Sequence, residues 1–188
     1  MEITMPSAVT AENRTTWNID SAHTGVHFSV KHLVIATVRG QFNTVSGSVV
    51  IDEVDPAASR VHAVIDAASI DTREPQRDAH LRSPDFLDVE RFPTIEFRST
   101  DVARTDDGYA VTGDLTIRGV TRPVVLTVEA TDGEIRDHVG NLKRAATARA
   151  RINRKDFGLT WNVALETGGF VVGDEIRIEI DVELLHQS

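Results

Sequence analysis

Alternation of apolar and polar residues is the feature that most constrains how this chain folds. In its last strand-like segment, Ile176, Ile178 and Ile180 fall on one side, and Arg177 and Glu179 fall on the other. A period of two is the spacing of a β-strand, in which successive side chains point to opposite faces. Strands with one apolar and one polar face are typical of antiparallel sheets that bury a single face.

Several segments share this pattern, with few helical segments between them. They lie within residues 26–30, 49–51, 61–67, 95–97, 109–117, 124–128, 146–152 and 176–184. Many short antiparallel strands fold as a sandwich or as a closed barrel. The chain is therefore predicted to be all-β, and residues 118–122 are predicted to form a tight hairpin turn between two strands.

Small residues on the predicted buried faces favour a hollow interior. They are Ala63, Ala67, Gly113, Ala146, Ala148 and Ala150. A closed sheet of about eight strands either fills its interior with side chains or holds one ligand. Helices packed closely on the sheet would also favour small residues, but the sequence shows too little helix to cover several strands. An apolar tunnel is therefore predicted, lined by Phe28, Val30, Leu33, Phe42, Ile95, Phe97, Leu115, Ile117, Phe157, Trp161 and Phe170.

Two segments interrupt the alternation. Residues 32–37 are apolar and short, and a helical turn is predicted there at one end of the barrel. Residues 72–89 are polar, with a short helix predicted to start at Pro75 and to stop by Pro84. Such a helix at a barrel's end would act as a lid or plug.

The length of 188 residues suits a single domain, predicted over residues 15–188. Residues 1–14 contain neither the basic start nor the apolar core of a secretory signal. They are therefore predicted to be a disordered leader, and the protein is predicted to be cytoplasmic.

The composition limits the kinds of partner that the chain is expected to bind. Acidic residues number 29 and basic residues 20, and the net charge of −9 disfavours nucleic-acid binding. No apolar run approaches the ~18 residues of a membrane-spanning helix, so stable membrane insertion is not expected. The chain has no cysteine, which excludes disulfides and thiolate metal ligands. The sequence neither requires nor forbids a homodimer.

No catalytic residue, metal site or cofactor is predicted. His23 and His27 lie about 13 Å apart on a strand at ~3.3 Å per residue, too far to share one zinc ion. A glycine-flanked serine nucleophile and a phosphate-binding glycine loop are both absent from the sequence. Arg154 could clamp a phosphate with its planar guanidinium, or form a surface ion pair with Asp156 or Glu166.

Five segments carry a resemblance that covers nearly the whole chain. They are residues 17–33, 38–47, 78–97, 113–124 and 153–175. In their order and spacing the sequence resembles the YceI-like family of lipid- or polyisoprenoid-binding proteins. The resemblance implies a lipocalin-like, closed antiparallel barrel of about eight strands with one or two short helices at its end. It also implies an apolar tunnel that holds an isoprenoid chain.

These observations together predict non-enzymatic binding, storage or transport of a long isoprenoid or fatty lipid. A polyisoprenoid, a quinone and a polyprenyl phosphate all fit this description. The predicted head-group or lid residues are His32, Arg39, His80 and Arg154. Two alternatives remain open: a lipid-modifying enzyme that uses His32, His80 and Asp78, and a ligand-free protein-interaction module.

Overall fold

The computed structural model describes residues 13–33, 35–131, 133–164 and 171–187. Most of the predicted leader lies outside these residues, but Arg14 already belongs to the first strand, with its Nε 3.1 Å from a carboxylate oxygen of Asp52. The strands are β1 (Arg14–Ile19), β2 (Gly25–His32), β3 (Ala36–Phe42), β4 (Val45–Asp52), β5 (Arg60–Asp66), β6 (Ile70–Asp71), β7 (Thr94–Thr105), β8 (Gly108–Ile117), β9 (Val120–Ala130), β10 (Ile135–Arg136), β11 (Leu142–Asn153) and β12 (Val172–His186). Helix α1 (Pro75–Arg82) lies between β6 and β7.

The strands form one closed antiparallel barrel. β1 and β2 pair with the same edge of β12, at residues 184–186 and 172–181 respectively, so they act as one interrupted strand. β4 and β3 follow beside them in the same way, and β5 and β6 follow next. β7, β8, β9, β11 and β12 complete the ring, because β11 pairs with both β9 and β12. The predicted barrel of about eight strands is confirmed.

Alternation along β11 and β12 places the apolar residues inside. Ala148 pairs with Ile180, and both border the interior. The next pair along the two strands, Arg149 and Glu179, lies on the outer face, where both side chains are exposed. Apolar side chains thus leave water while charged ones stay in it, which is the driving force for closing the sheet.

The hairpin predicted at residues 118–122 is confirmed. β8 ends at Ile117 and β9 begins at Val120. The two residues between them, Arg118 and Gly119, have φ values of 50° and 72°. Positive φ at both central positions is the geometry of a two-residue turn whose twist matches the flanking strands.

The helical turn predicted at residues 32–37 is wrong. β2 continues through His32 and pairs there with Ala36 of β3. Leu33 has a φ of 50°, which no residue of a right-handed helix adopts. β2 and β3 therefore form a β-hairpin, because their pairing continues as far as His32 and Ala36.

Helix α1 starts and stops close to where the prolines predict. The carboxylate of Glu74 accepts hydrogen bonds from two backbone N–H groups of the first turn, and Pro75 follows at the first helical position. The helix ends at Arg82, two residues before Pro84. Residues 86–87, just beyond the helix, border the barrel interior at the end where β7 begins. We call that end the helix end, and the opposite one, where β7 finishes at Thr105, the loop end.

Candidate functional site

An apolar cavity of about 810 Å³ occupies the barrel interior. Residues from all the strands of the ring line it. Ile178 and Ile180 point into the barrel yet are only half-buried, because they border open space instead of other side chains. A volume of this size lies within the ~300–1,000 Å³ typical of small-molecule sites. The barrel is therefore hollow.

Most of the predicted lining residues on regular strands lie on the cavity wall. The alternation of each strand sets their inward direction, so they are the residues that a ligand would meet first. They are Phe28, Val30, Phe42, Ile95, Phe97, Leu115 and Ile117. Their contact with a ligand stays a prediction.

Three predicted lining residues lie away from the wall, and Phe170 lies outside the described residues. Leu33 is 38% exposed at the tip of the β2–β3 hairpin. Phe157 is 1% exposed and fills the packed core of the helix end. Trp161 packs behind Phe86, with ring centroids 5.2 Å apart. None of the three lies on a regular strand, so alternation gave no guide to its direction.

The small residues on the inner faces differ in effect. Ala63, Ala146 and Ala148 border the cavity and widen it. Gly113 does not, because the Phe97 ring lies over it: a Cβ on Gly113 would be 2.5 Å from Cζ of that ring. The glycine therefore accommodates an aromatic ring instead of leaving free space.

Aromatic side chains pack against one another at the helix end. Phe86 and Leu87 are nearly buried and border the cavity at the helix end. Behind Phe86 the rings of His80 and Trp161 meet edge to face, with centroids 4.7 Å apart. The predicted lid is thus a short helix followed by a packed aromatic layer.

Arg154 lies at this end and is 2% exposed. Its guanidinium donates hydrogen bonds to the carbonyl oxygens of Gly173, Leu159 and Trp161, at 2.9, 2.5 and 2.9 Å. Burial lowers the pKa of Arg154, and a carboxylate oxygen of Asp174 lies 3.5 Å away. These hydrogen bonds occupy its donors and tie residues 159–161 to β12, and a head-group role for Arg154 stays a prediction.

Unlike Arg154, which borders the cavity, the other predicted head-group residues lie off the wall. Arg39 pairs with Ser29, which alternates with the inward Phe28, so Arg39 faces outward. His32 is half-buried at the tip of the β2–β3 hairpin. His80 Nε2 lies 2.9 Å from an oxygen of Asp85, outside the Phe86 layer.

Asp78, the third residue of the enzyme alternative, has a structural partner. Its carboxylate accepts hydrogen bonds from the backbone N–H and the hydroxyl of Thr72, at 2.9 and 2.5 Å. It is 7% exposed and joins α1 to the end of β6. His32, His80 and Asp78 thus have separate surroundings.

The loop end is polar. Exposed residues from the end of β7 and from the connections between strands border the cavity here, so the cavity reaches the surface at this end. They are Glu53, Arg104, Thr105, Asp106, Asp107, Thr131 and Gly133.

Arg144 is a charged residue on the inner face of β11 at this end. Its Nη2 lies 2.6 Å from Oε1 of Glu53 and 3.0 Å from Oε1 of Glu134. Its guanidinium carbon lies 5.0 Å from the ring centroid of Trp17, in cation–π contact. Sequence reasoning missed this residue, although extending the alternation two residues back from Ala146 places it on the inner face.

Asp52 fixes the connection that follows β4 at the loop end. It is 2% exposed and accepts hydrogen bonds from the backbone N–H groups of Asp55 and Val54, at 2.9 and 3.1 Å. The Asp55 N–H, together with the Arg14 side chain, holds the pKa of Asp52 below its usual range. The carboxylate is therefore held in its charged form.

One group in the described part of the chain has metal-ligating side chains close together: Asp20, His23 and Glu183. The amino group of Lys143 lies 3.3 Å from Asp20 and also contacts Glu183. The hydrogen bond to Glu183 raises the pKa of Lys143, so the ammonium supplies positive charge here. The group is an ion-pair network.

Comparisons with known proteins agree with this barrel. A family model of the YceI-like domain matches residues 17–184. A UPF0312 protein of Yersinia enterocolitica is 41% identical over 157 residues, 84% of this chain and 80% of the relative.

No helix in the described ranges has the length and apolarity needed to span a bilayer.

Solved structures share the architecture. A YCEI protein of Campylobacter jejuni is 30% identical, with a TM-score of 0.69 over 90% of this chain and 96% of that one. A polyisoprenoid binding domain from Saccharophagus degradans has a TM-score of 0.64 at 13% identity, over 92% and 99% of the two chains. At that identity the likeness shows a shared fold alone.

Proposed function

This chain belongs to the YceI-like family, and we propose that its barrel binds and carries a long apolar isoprenoid-type lipid without modifying it. The observation that carries the proposal is the apolar cavity of about 810 Å³ inside the closed sheet. The solved domain from Saccharophagus degradans, described as polyisoprenoid binding, supports it by its shared fold.

The size of the cavity suits a chain of lipid length. A water molecule takes ~30 Å³ of liquid, and a methylene group is of similar size, so the cavity has room for roughly 25 carbon-sized groups. Burial of twenty methylene-sized groups, which the cavity can hold, contributes about 16 kcal/mol at ~0.8 kcal/mol each. Loss of translation and ordering of the tail offset several kcal/mol of this. Micromolar or tighter binding follows without a charged contact.

Binding without chemistry agrees with the surroundings of the candidate catalytic groups. His80 lies outside the Phe86 layer, and Asp78 accepts two hydrogen bonds from Thr72. Neither borders the cavity, where a reacting lipid would lie. The cytoplasmic location stays a prediction from the sequence.

The first experiment identifies the cargo. The protein is purified from several hosts and measured by native mass spectrometry, then extracted with organic solvent. We expect one apolar molecule to leave on extraction. A mass that matches the bare chain from every host would contradict the proposal.

The second experiment fills the cavity. Ala148→Trp places an indole in the middle of the barrel, next to Ile180, and should abolish lipid uptake. Thr147→Trp is the matched control, because Thr147 lies on the outer face of the same strand. Lipid uptake by Ala148→Trp equal to that of Thr147→Trp, with both folded, would show that the cavity is not the binding site.

A further inference from the structure

Arg144 keeps a hydrogen-bond donor unused inside the barrel. Its Nε is buried and has no acceptor among the residues that the structure describes. Both of its carboxylate partners, Glu53 and Glu134, contact Nη2 instead. A buried donor without an acceptor destabilises the folded chain, because its hydrogen bond to water has been lost without replacement.

Arg144 lies beside the space that a ligand would occupy. The residue borders the cavity at the loop end, two residues before Ala146 on the same face of β11. Trp17, which is fully buried, packs against the guanidinium and holds it in place. A donor held by a rigid ring at the end of an apolar tunnel is suited to one polar atom at the end of an apolar ligand.

The charges around Arg144 select which polar atom that is. Glu53 and Glu134 already compensate the guanidinium, and at the same opening Asp106 and Asp107 outnumber the one further cation of the described residues that borders it, Arg104. A phosphate would add negative charge next to these carboxylates, where repulsion is stronger than in bulk water. A carbonyl, hydroxyl or ether oxygen accepts the N–H without adding charge.

We propose that Arg144 binds a neutral oxygen in the head group of the ligand and discriminates against phosphate. The head group then lies at the loop end, and the tail runs past Ala146 and Ala148 to Phe86 at the helix end. This inference rests on the proposed lipid-binding function and narrows its ligand class. It also places the head group at the end of the barrel opposite to helix α1.

The test uses three probes with twenty-carbon branched chains: geranylgeraniol, geranylgeranyl phosphate and the hydrocarbon phytane. Their binding is measured by displacement of a fluorescent isoprenoid from the wild type, Arg144→Met and Arg149→Met. Arg149 is the matched control, because it lies on the outer face of the same strand. The wild type should bind the alcohol at least about tenfold more tightly than phytane, and more tightly than the phosphate.

Arg144→Met should lose the preference for the alcohol over phytane while it retains binding of phytane, and Arg149→Met should keep the wild-type order. A preference that survives in Arg144→Met, or tightest binding of the phosphate by the wild type, would overturn the inference but leave the carrier function intact. Binding of none of the three probes by the wild type would contradict the carrier function and this inference together.

Two further measurements do not depend on the folding of Arg144→Met. Glu53→Gln changes an exposed side chain and should raise the affinity for geranylgeranyl phosphate severalfold, with that for geranylgeraniol little changed. In protein with 15N-labelled arginine, geranylgeraniol should shift the Nε–H resonance of Arg144 and phytane should not. Equal shifts with both probes would exclude the hydrogen bond.

Discussion

The two ends of the barrel each hold an arginine at the cavity wall, and they differ in what those arginines bind. At the helix end, Arg154 is 2% exposed and donates to backbone carbonyls from two segments. At the loop end, Arg144 has a side chain 23% exposed, pairs with two carboxylates through one nitrogen and leaves Nε without an acceptor in the described structure.

This difference separates an arginine whose donors are all occupied by the chain from one that keeps an unpaired donor within the described residues. A guanidinium whose donors end on backbone carbonyls holds segments of the chain together, and a ligand would have to break those bonds. A guanidinium with an unused donor gains an acceptor when a ligand enters. Burial by itself therefore does not identify a head-group site, and the count of satisfied donors does.

The largest expected effect on stability tests packing at the helix end. Phe157→Ala removes a ring that is 1% exposed and should lower the free energy of unfolding by about 3–5 kcal/mol. Denaturant unfolding measures the change, and Phe157→Leu, which leaves a smaller cavity, should lose less. A loss below about 1 kcal/mol would mean that this end is not held by its packed core.

The next effect tests the structural role of Arg154. Arg154→Met should lower the free energy of unfolding by about 2–3 kcal/mol, because buried carbonyls lose their donors. It should not change the preference between geranylgeraniol and geranylgeranyl phosphate. A change in that preference, seen in the displacement assay, would transfer the head-group site to the helix end.

A smaller effect at the loop end depends on pH. The pKa of Asp52 is lowered in the folded chain by the Asp55 N–H and Arg14, so its stabilising effect is present at neutral pH and is lost as pH falls below about 4. Asp52→Asn should be less stable than the wild type at pH 7, and the gap should narrow at acid pH. Urea unfolding across this range measures it. The exposed Asp101→Asn is the control, and a gap that widens on acidification would contradict the assignment.

The smallest effect concerns an exposed pair at the helix end. His80 and Asp85 have side chains 39% and 53% exposed. Asp85→Asn should change the free energy of unfolding by no more than about 0.5 kcal/mol, because water screens exposed pairs. It should also leave lipid binding unchanged. Loss of binding would give the pair a functional role that its position outside the Phe86 layer does not suggest.

Much of the fold could be predicted because its signal is local. Alternation assigns each residue of a regular strand to one face, so Ile95, Phe97 and Leu115 were placed correctly on the wall. The failures cluster where no repeat exists. Leu33 lies at a hairpin tip and Trp161 in an irregular segment, and in both places direction depends on contacts with distant parts of the chain.

The sequence by itself determined an all-β chain, the inner and outer face of each regular strand and the apolar character of the interior, because a period of two is a property of neighbouring residues. Only the tertiary structure decided which arginine keeps an unpaired donor in the part of the chain that the structure describes. The partners of Arg154 and Arg144 come from segments far away along the chain: Gly173 for the first, Glu53 and Trp17 for the second. Whether a donor is satisfied depends on geometry between segments, and no local pattern records it.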